Sequence, residues 1–94
     1  MLSVNTYYPG RKENQFEPSK TLFLGDLSYF CTEEDIFNLF AQYGPIASIR
    51  VQRGVSGEPL LHGYVVFHSP VSARQALMEA DGMSFMGRKL RYIG

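Results

Sequence analysis

Two short segments with the periodicity of β-strands place the strongest constraint on the fold. In residues 60–67, Leu-Leu-His-Gly-Tyr-Val-Val-Phe, one set of residues alternates with another at a period of two. The set that suits a core is Leu61, Gly63, Val65 and Phe67. The opposite face holds Leu60, His62, Tyr64 and Val66. The segment therefore predicts a strand that turns a histidine and a tyrosine away from the core.

The second segment, residues 21–27, repeats this alternation with Leu22 and Leu24 inward and Phe23 outward. If the two strands are antiparallel neighbours, Phe23 and Tyr64 form an aromatic pair on the outer face of a sheet. Exposed rings in a row are a stacking platform for unpaired nucleobases. An outward phenylalanine is also common in ordinary strands. From these two segments alone, both interpretations stand.

A helix is predicted between these strands. Thr32 precedes three acidic residues, a hydroxyl cap followed by charges that favour the helix dipole. The apolar spacing predicts a helix over about 33–42 that ends at Gly44-Pro45, with this core stripe: Ile36, Leu39, Phe40 and Tyr43. Phe37 lies one position off the stripe, so it either widens the core face or contacts a partner protein or the N-terminal segment.

The rest of the chain completes a regular order of elements. A strand over about 46–52 turns Arg50 and Gln52 to the same side as Phe23 and Tyr64. A second helix begins at Ser69-Pro70, and a last strand over about 89–93 turns Arg91 outward. The order βαββαβ predicts an α+β, ferredoxin-like sandwich, in which a four-stranded antiparallel sheet carries both helices on one face. The other face of the sheet is left open.

Composition limits the class of protein. The chain has 94 residues, 45% of them hydrophobic, which fits one domain over residues 21–94 after an irregular tail at residues 1–20. Cys31 is the single cysteine, which excludes an internal disulfide and a thiolate metal cluster. No apolar run is long enough for a membrane span or a signal peptide. We therefore expect an intracellular protein of the nucleus or cytoplasm, with no membrane partner. The net charge of zero argues against binding nucleic acid through bulk electrostatics.

With the two strand signatures and this order of elements, residues 21–94 resemble an RNA recognition motif. The segment 22–27 matches the short signature of that family, and the segment 60–67 matches the long one. Three further segments, 25–27, 44–46 and 48–51, are also similar to the first such domain of cytoplasmic poly(A)-binding proteins.

The resemblance implies a role for each matched position. Phe23 and Tyr64 would each stack on a base, and His62 would pack on the sugars between them. Leu60 replaces the arginine or lysine that usually pairs with a phosphate, and Leu61 replaces the usual glycine. Hydrogen bonds to base edges and phosphates would then come from Arg50, Gln52 and Arg91.

The implied function is non-catalytic binding of single-stranded RNA, as in messenger RNA processing and ribonucleoproteins. An enzyme of this topology is not expected, because the segment 27–31 lacks both the arginine of acylphosphatase-like enzymes and the Cys-x-x-Cys of copper chaperones. No cofactor or metal is predicted. The alternative is a protein-binding domain whose sheet is covered by a partner or by the N-terminal tail, and partner contacts through Phe37 or that tail are possible.

Overall fold

The computed structural model describes residues 18–92, so the predicted tail lies outside the described residues except for one 3₁₀ turn at Pro18–Lys20. Five longer elements follow: β1 Thr21–Gly25, α1 Glu33–Phe40, β2 Ile46–Arg53, β3 Pro59–Phe67 and α2 Pro70–Ala80. Three strands of two residues complete the order: β4 Ser84–Phe85, β5 Arg88–Lys89 and β6 Arg91–Tyr92.

The main sheet is antiparallel, with the strand order β2-β3-β1-β6. Both helices pack on the face that carries Leu22 and Leu24, because Ile36 and Phe40 of α1 and the alanines of α2 share one buried cluster with those leucines. The predicted α+β architecture, with two helices on an antiparallel sheet, is therefore confirmed. The outer face of the sheet is the side opposite the helices.

The last strand of the sheet is shorter than the predicted segment 89–93. Of the three short strands, only β6 pairs with β1, through Leu24 with Tyr92 and Gly25 with Arg91. The preceding residues pair among themselves: β4 and β5 form a hairpin, Leu90 N–H donates to Met83 O at 2.8 Å, and Gly82 N–H donates to Leu90 O at 2.9 Å. Because these backbone groups are already bonded, they cannot also pair with β1. The sheet therefore has three longer strands and the short edge strand β6.

A complete capping box begins α1. The Thr32 hydroxyl accepts a hydrogen bond from Asp35 N–H at 3.3 Å, and the Asp35 carboxylate accepts one from Thr32 N–H at 3.0 Å. Aspartate therefore fills the position at which glutamate or glutamine is usual. The helix ends at Phe40, two residues earlier than predicted, because a 3₁₀ turn at Ala41–Tyr43 tightens its last turn.

Small residues let α2 approach the sheet closely. Ser69 Oγ accepts from Val71 N–H at 3.1 Å, and Pro70 occupies the first turn, as the sequence predicted. Leu77 packs against the core, and the rest of the inward side consists of three buried alanines: Ala73, Ala76 and Ala80. These side chains add little thickness, so the helix lies close to β1 and β3.

Two positions on β3 depart from the predicted alternation. Leu61 was predicted to face the core, and this prediction is wrong: its side chain is 38% exposed and its φ of +67° is left-handed. That backbone conformation breaks the period of two at the start of β3. Val66 was predicted on the outer face but is only 2% exposed, because β3 is a central strand and Thr21 and Ser48 flank Val66 on both sides.

Candidate nucleic-acid interface

Three of the predicted site residues form a row across the outer face of the sheet. Tyr64 on β3 lies opposite Phe23 on β1 and opposite Arg50 on β2. The ring centroids of Phe23 and Tyr64 are 6.1 Å apart, with an angle of 61° between the ring planes. Both rings are partly exposed. The structure thus brings the predicted aromatic pair into edge-to-face contact.

The other three predicted site residues lie around this row. His62 is exposed on β3, Gln52 is partly buried on β2 beyond the paired Val51 and Gly63, and Arg91 is exposed on β6 opposite Gly25. All six residues therefore belong to the four strands of one sheet. Aromatic rings occupy its centre, and polar groups that donate hydrogen bonds occupy its edges.

Positive charge at this interface comes mainly from two arginines. Within residues 18–92, neither Arg50 nor Arg91 forms an ion pair, and both are exposed. Two other arginines are already paired: Arg53 Nη2 lies 3.7 Å from Glu33 Oε1, and Arg88 Nε donates to Asp26 Oδ1 at 3.1 Å. The interface therefore offers few cationic groups to a phosphate backbone.

The glycine of the long signature has a steric role. A Cβ atom at Gly63 would lie 2.2 Å from Arg50 O, well inside van der Waals contact. Glycine thus lets β2 and β3 approach closely beside the aromatic row. The pairing that places Arg50 opposite Tyr64 depends on this approach.

A match to a family model decides which family the chain belongs to. Residues 22–91 match the family model described as RNA recognition motif. The chain belongs to the RNA recognition motif family. It is 38% identical over 74 residues to RNA-binding protein 7 of Danio rerio, an alignment that covers 79% of this chain and 29% of that protein. It is 39% identical over 75 residues to the U1 small nuclear ribonucleoprotein 70 kDa homolog of Schizosaccharomyces pombe, with 79% of this chain and 29% of that protein covered.

A solved structure agrees with the sequence match. The crystal structure of RNA binding protein PG1 superposes with a TM-score of 0.75 and 34% sequence identity, covering 78% of this chain and 89% of that chain. The curated relatives are much longer, because the chain spans less than a third of each of the two named above. The RNA recognition motif is therefore one part of those proteins.

The start of the long signature is apolar in this RNA recognition motif. Leu60 and Leu61 are both more than one-third exposed, and Leu27 N–H donates to Leu61 O at 3.0 Å. The left-handed φ of Leu61 falls at the position where the family usually has glycine, which adopts that conformation without strain. Leu61 therefore carries a side chain at a position whose backbone conformation favours glycine.

Two contacts beside the sheet were not predicted from the sequence. The carbonyl and carboxylate of Asp26, a residue with φ of +58°, both accept hydrogen bonds from Arg88. Glu33 Oε2 accepts from Val51 N–H at 2.8 Å and so connects the first turn of α1 to β2. A periodic sequence pattern cannot predict such contacts, because the paired residues lie 18 or 62 positions apart in the chain.

Local environment shifts the pKa of two groups near α1. Partial burial alone would raise the pKa of Glu33, but the Val51 hydrogen bond, a bond to its own backbone and the charges of Arg53 and Arg50 lower it below the ordinary value. Burial, followed by the charges of Asp35 and Glu33, raises the pKa of the Cys31 thiol to about 11. Cys31 is therefore a protonated core residue at neutral pH rather than a nucleophile.

Residues 18–92 contain no group of three or more histidine, cysteine, aspartate or glutamate side chains arranged to hold a metal ion. The same part of the chain has no helix with the length and apolarity that crossing a bilayer requires. The outer face of the sheet presents two partly exposed aromatic rings and several side chains that can donate hydrogen bonds.

Proposed function

We propose that this RNA recognition motif binds single-stranded RNA across the outer face of its sheet, without catalysis. The observation that carries the proposal is the contact between Phe23 and Tyr64, two partly exposed rings at signature positions of the family. A base stacked on each ring contributes about 1–3 kcal/mol by alanine substitution. Stacking is therefore the main source of affinity.

Polar side chains around the two rings supply the remaining contacts. His62 packs on the sugars between the stacked bases, while Arg50, Gln52 and Arg91 hydrogen-bond to base edges or phosphates. Leu60 stands where the family usually has a basic residue, so one phosphate contact is missing. Arg50 and Arg91 support this assignment because both are exposed and neither forms an ion pair within the described range.

The similar proteins suggest the setting in which the domain works. Their names specify RNA binding or a small nuclear ribonucleoprotein, and each is much longer than this chain. We infer that the domain acts within a nuclear ribonucleoprotein, where linkage to other binding modules raises the overall affinity. None of the named relatives favours the alternative, a sheet covered by a partner protein.

The test is an NMR titration of the full chain with short single-stranded RNA. We expect the largest amide shift changes in the strands, at Phe23, Tyr64, Arg50 and His62, with little change at Ala76 on α2. Separate oligonucleotides of A, U, C and G then report the preferred base. Changes confined to the helices, or none at low salt, would overturn the proposal.

A further inference from the structure

Three exposed aromatic side chains lie on α1 or in the loop just before it, and none of them belongs to the proposed RNA site. Tyr29 and Phe30, in the loop before the helix, are 60% and 77% exposed, and Phe37 on the helix is 50% exposed. The rings of Tyr29 and Phe30 contact each other edge to face, with centroids 5.2 Å apart. The loop that carries Tyr29 and Phe30 leads directly into the cap at Thr32, so these two rings lie at the N-terminal end of the helix that carries Phe37. An exposed group of large apolar side chains is typical of an interaction site. We call these three residues the aromatic surface.

The aromatic surface is not part of the core. On the inner side of α1, Ile36 and Phe40 are fully buried against the sheet. Phe37 lies to one side of that stripe, and the loop residues precede the cap at Thr32. Packing within the described residues therefore leaves most of these rings in water.

Helix α1, which carries Phe37, lies on the side of the sheet away from the proposed RNA site. The helix α1 packs on the sheet face that carries Leu22 and Leu24, whereas Phe23 and Tyr64 lie on the opposite face. A ligand on one face leaves the other face accessible. We therefore expect a partner bound to α1 to leave the proposed RNA site accessible.

The charge around the aromatic surface disfavours nucleic acid. Three acidic residues, Glu33, Glu34 and Asp35, stand in the first turn of α1, between Phe30 and Phe37 in the chain. Arg53 Nη2 is 3.7 Å from Glu33 Oε1, so this arginine is already paired. Glu34 is exposed and forms no ion pair with any residue in the described range. Phosphates would be repelled here, and basic groups would be attracted.

We propose that the aromatic surface binds a peptide segment of a partner protein that carries an arginine or lysine between two apolar residues. The apolar residues contact Phe30 and Phe37, and the basic residue pairs with the Glu34 carboxylate between them. A guanidinium or ammonium also gains cation–π contact with the neighbouring rings. Peptide binding itself is independent of the proposed RNA function, and only the simultaneous binding of RNA rests on it.

The test begins with a library of random twelve-residue peptides displayed on phage and selected on the full chain. A parallel selection uses the variant Phe30→Ser/Phe37→Ser. We expect the wild type to enrich peptides with a basic residue flanked by apolar residues, and the variant to lose that enrichment. Acidic consensus sequences, equal enrichment on both proteins, or no enrichment at all would overturn the proposal.

A synthetic copy of an enriched peptide then gives the quantitative readout. We expect Glu34→Lys to weaken its binding by about tenfold or more, since it places like charges together. Met78→Ser is the matched control, because Met78 is as exposed as Phe30 but lies on α2. Equal loss in the control and in Glu34→Lys would contradict the site.

Adding saturating RNA separates the two proposals. Unchanged peptide affinity supports separate faces, whereas competition between RNA and peptide would overturn the claim that the faces are independent. Peptide binding by a chain that fails to bind RNA would overturn the proposed function alone and leave the aromatic surface supported.

Discussion

Backbone conformation distinguishes two neighbouring leucines at the start of β3. Leu60 and Leu61 have similar exposure, 43% and 38%, but only Leu61 adopts a left-handed φ. For a residue with a Cβ atom this conformation costs about 1–2 kcal/mol. Glycine avoids that cost, although it loses more conformational entropy on folding than leucine does.

We expect Leu61→Gly to be better tolerated than Leu60→Gly, its matched control. In urea denaturation, Leu60→Gly should lower the free energy of unfolding by about 1 kcal/mol, the usual penalty for glycine within a strand. The free energy of unfolding of Leu61→Gly should be higher than that of Leu60→Gly by about 1–2 kcal/mol, because the substitution at residue 61 relieves the left-handed strain. Equal losses in the two variants would contradict a strained Leu61.

At Gly63, in contrast to Leu61, the structure already has glycine, and adding a side chain should destabilise the fold. The 2.2 Å approach of a Cβ atom to Arg50 O involves a backbone atom, so relief requires β2 to move. We expect Gly63→Ala to lower the free energy of unfolding by about 1–3 kcal/mol.

Gly54→Ala is the control for Gly63→Ala. A Cβ at Gly54 meets only the end of the Glu58 side chain, which can rotate away. Chemical denaturation should therefore show a clearly smaller loss for Gly54→Ala. An equal effect at both positions would mean that the strands do not approach as closely as described.

At the scale of elements, Glu33 joins α1 to β2. Its carboxylate accepts the Val51 N–H bond, and the pKa of Glu33 is lowered by that bond and by nearby arginines despite partial burial. A carboxyl group with a lowered pKa in the folded state stabilises the fold above its unfolded pKa. That stability is lost as the pH falls through the folded pKa.

We therefore expect the stability difference between wild type and Glu33→Gln to be largest at neutral pH. It should begin to shrink near pH 4.5, the ordinary pKa of glutamate, and vanish below the lowered folded pKa. Unfolding curves from pH 7 to pH 3 measure this. Glu34→Gln, which removes an exposed charge from the same turn, is the control variant. A difference that stays constant over the whole range would contradict the contact.

Periodicity was sufficient to predict most elements, because helices and strands bury one face at a fixed repeat. The core sides of α1, α2 and β1 follow directly from residues such as Ile36, Ala76 and Leu24. The last strand was predicted too long, since its backbone groups bond within the hairpin of β4 and β5. Leu61 was misplaced because a left-handed backbone is not visible in a pattern of apolar residues.

The candidate RNA site was predictable for a related reason. Family signatures and the period of two together placed Phe23 next to Tyr64, and the structure puts these rings in contact. Contacts that depend on tertiary approach were not predictable, such as the pairing of Arg88 with Asp26, which removes one cation from the sheet side. The sequence therefore predicted the positions of the two aromatic rings more reliably than it predicted which charged side chains are unpaired.

At the scale of the whole molecule, charge is distributed so that phosphate contacts are few. Within residues 18–92, Arg50 and Arg91 form no ion pair, so we expect both to contact phosphates at the RNA site. Each neutralised phosphate contributes about −0.7 to the slope of log K against log salt for a single strand. We expect a slope of about −1.4 for the wild type and about −0.7 for Arg50→Ala. Titrations at several salt concentrations measure it. A wild-type slope steeper than about −3 would show that phosphate contacts, rather than stacking, dominate.

The central claim is that Phe23 and Tyr64 bind RNA by stacking. Fluorescence anisotropy with short single-stranded RNA tests it most directly, using the wild type, Phe23→Ala/Tyr64→Ala and the control Phe37→Ala. Circular dichroism checks that each variant remains folded. We expect the double substitution to weaken binding by about 30-fold or more, since each stack is worth at least about 1 kcal/mol, and Phe37→Ala to bind as the wild type does. Equal binding by a folded double variant would contradict the claim.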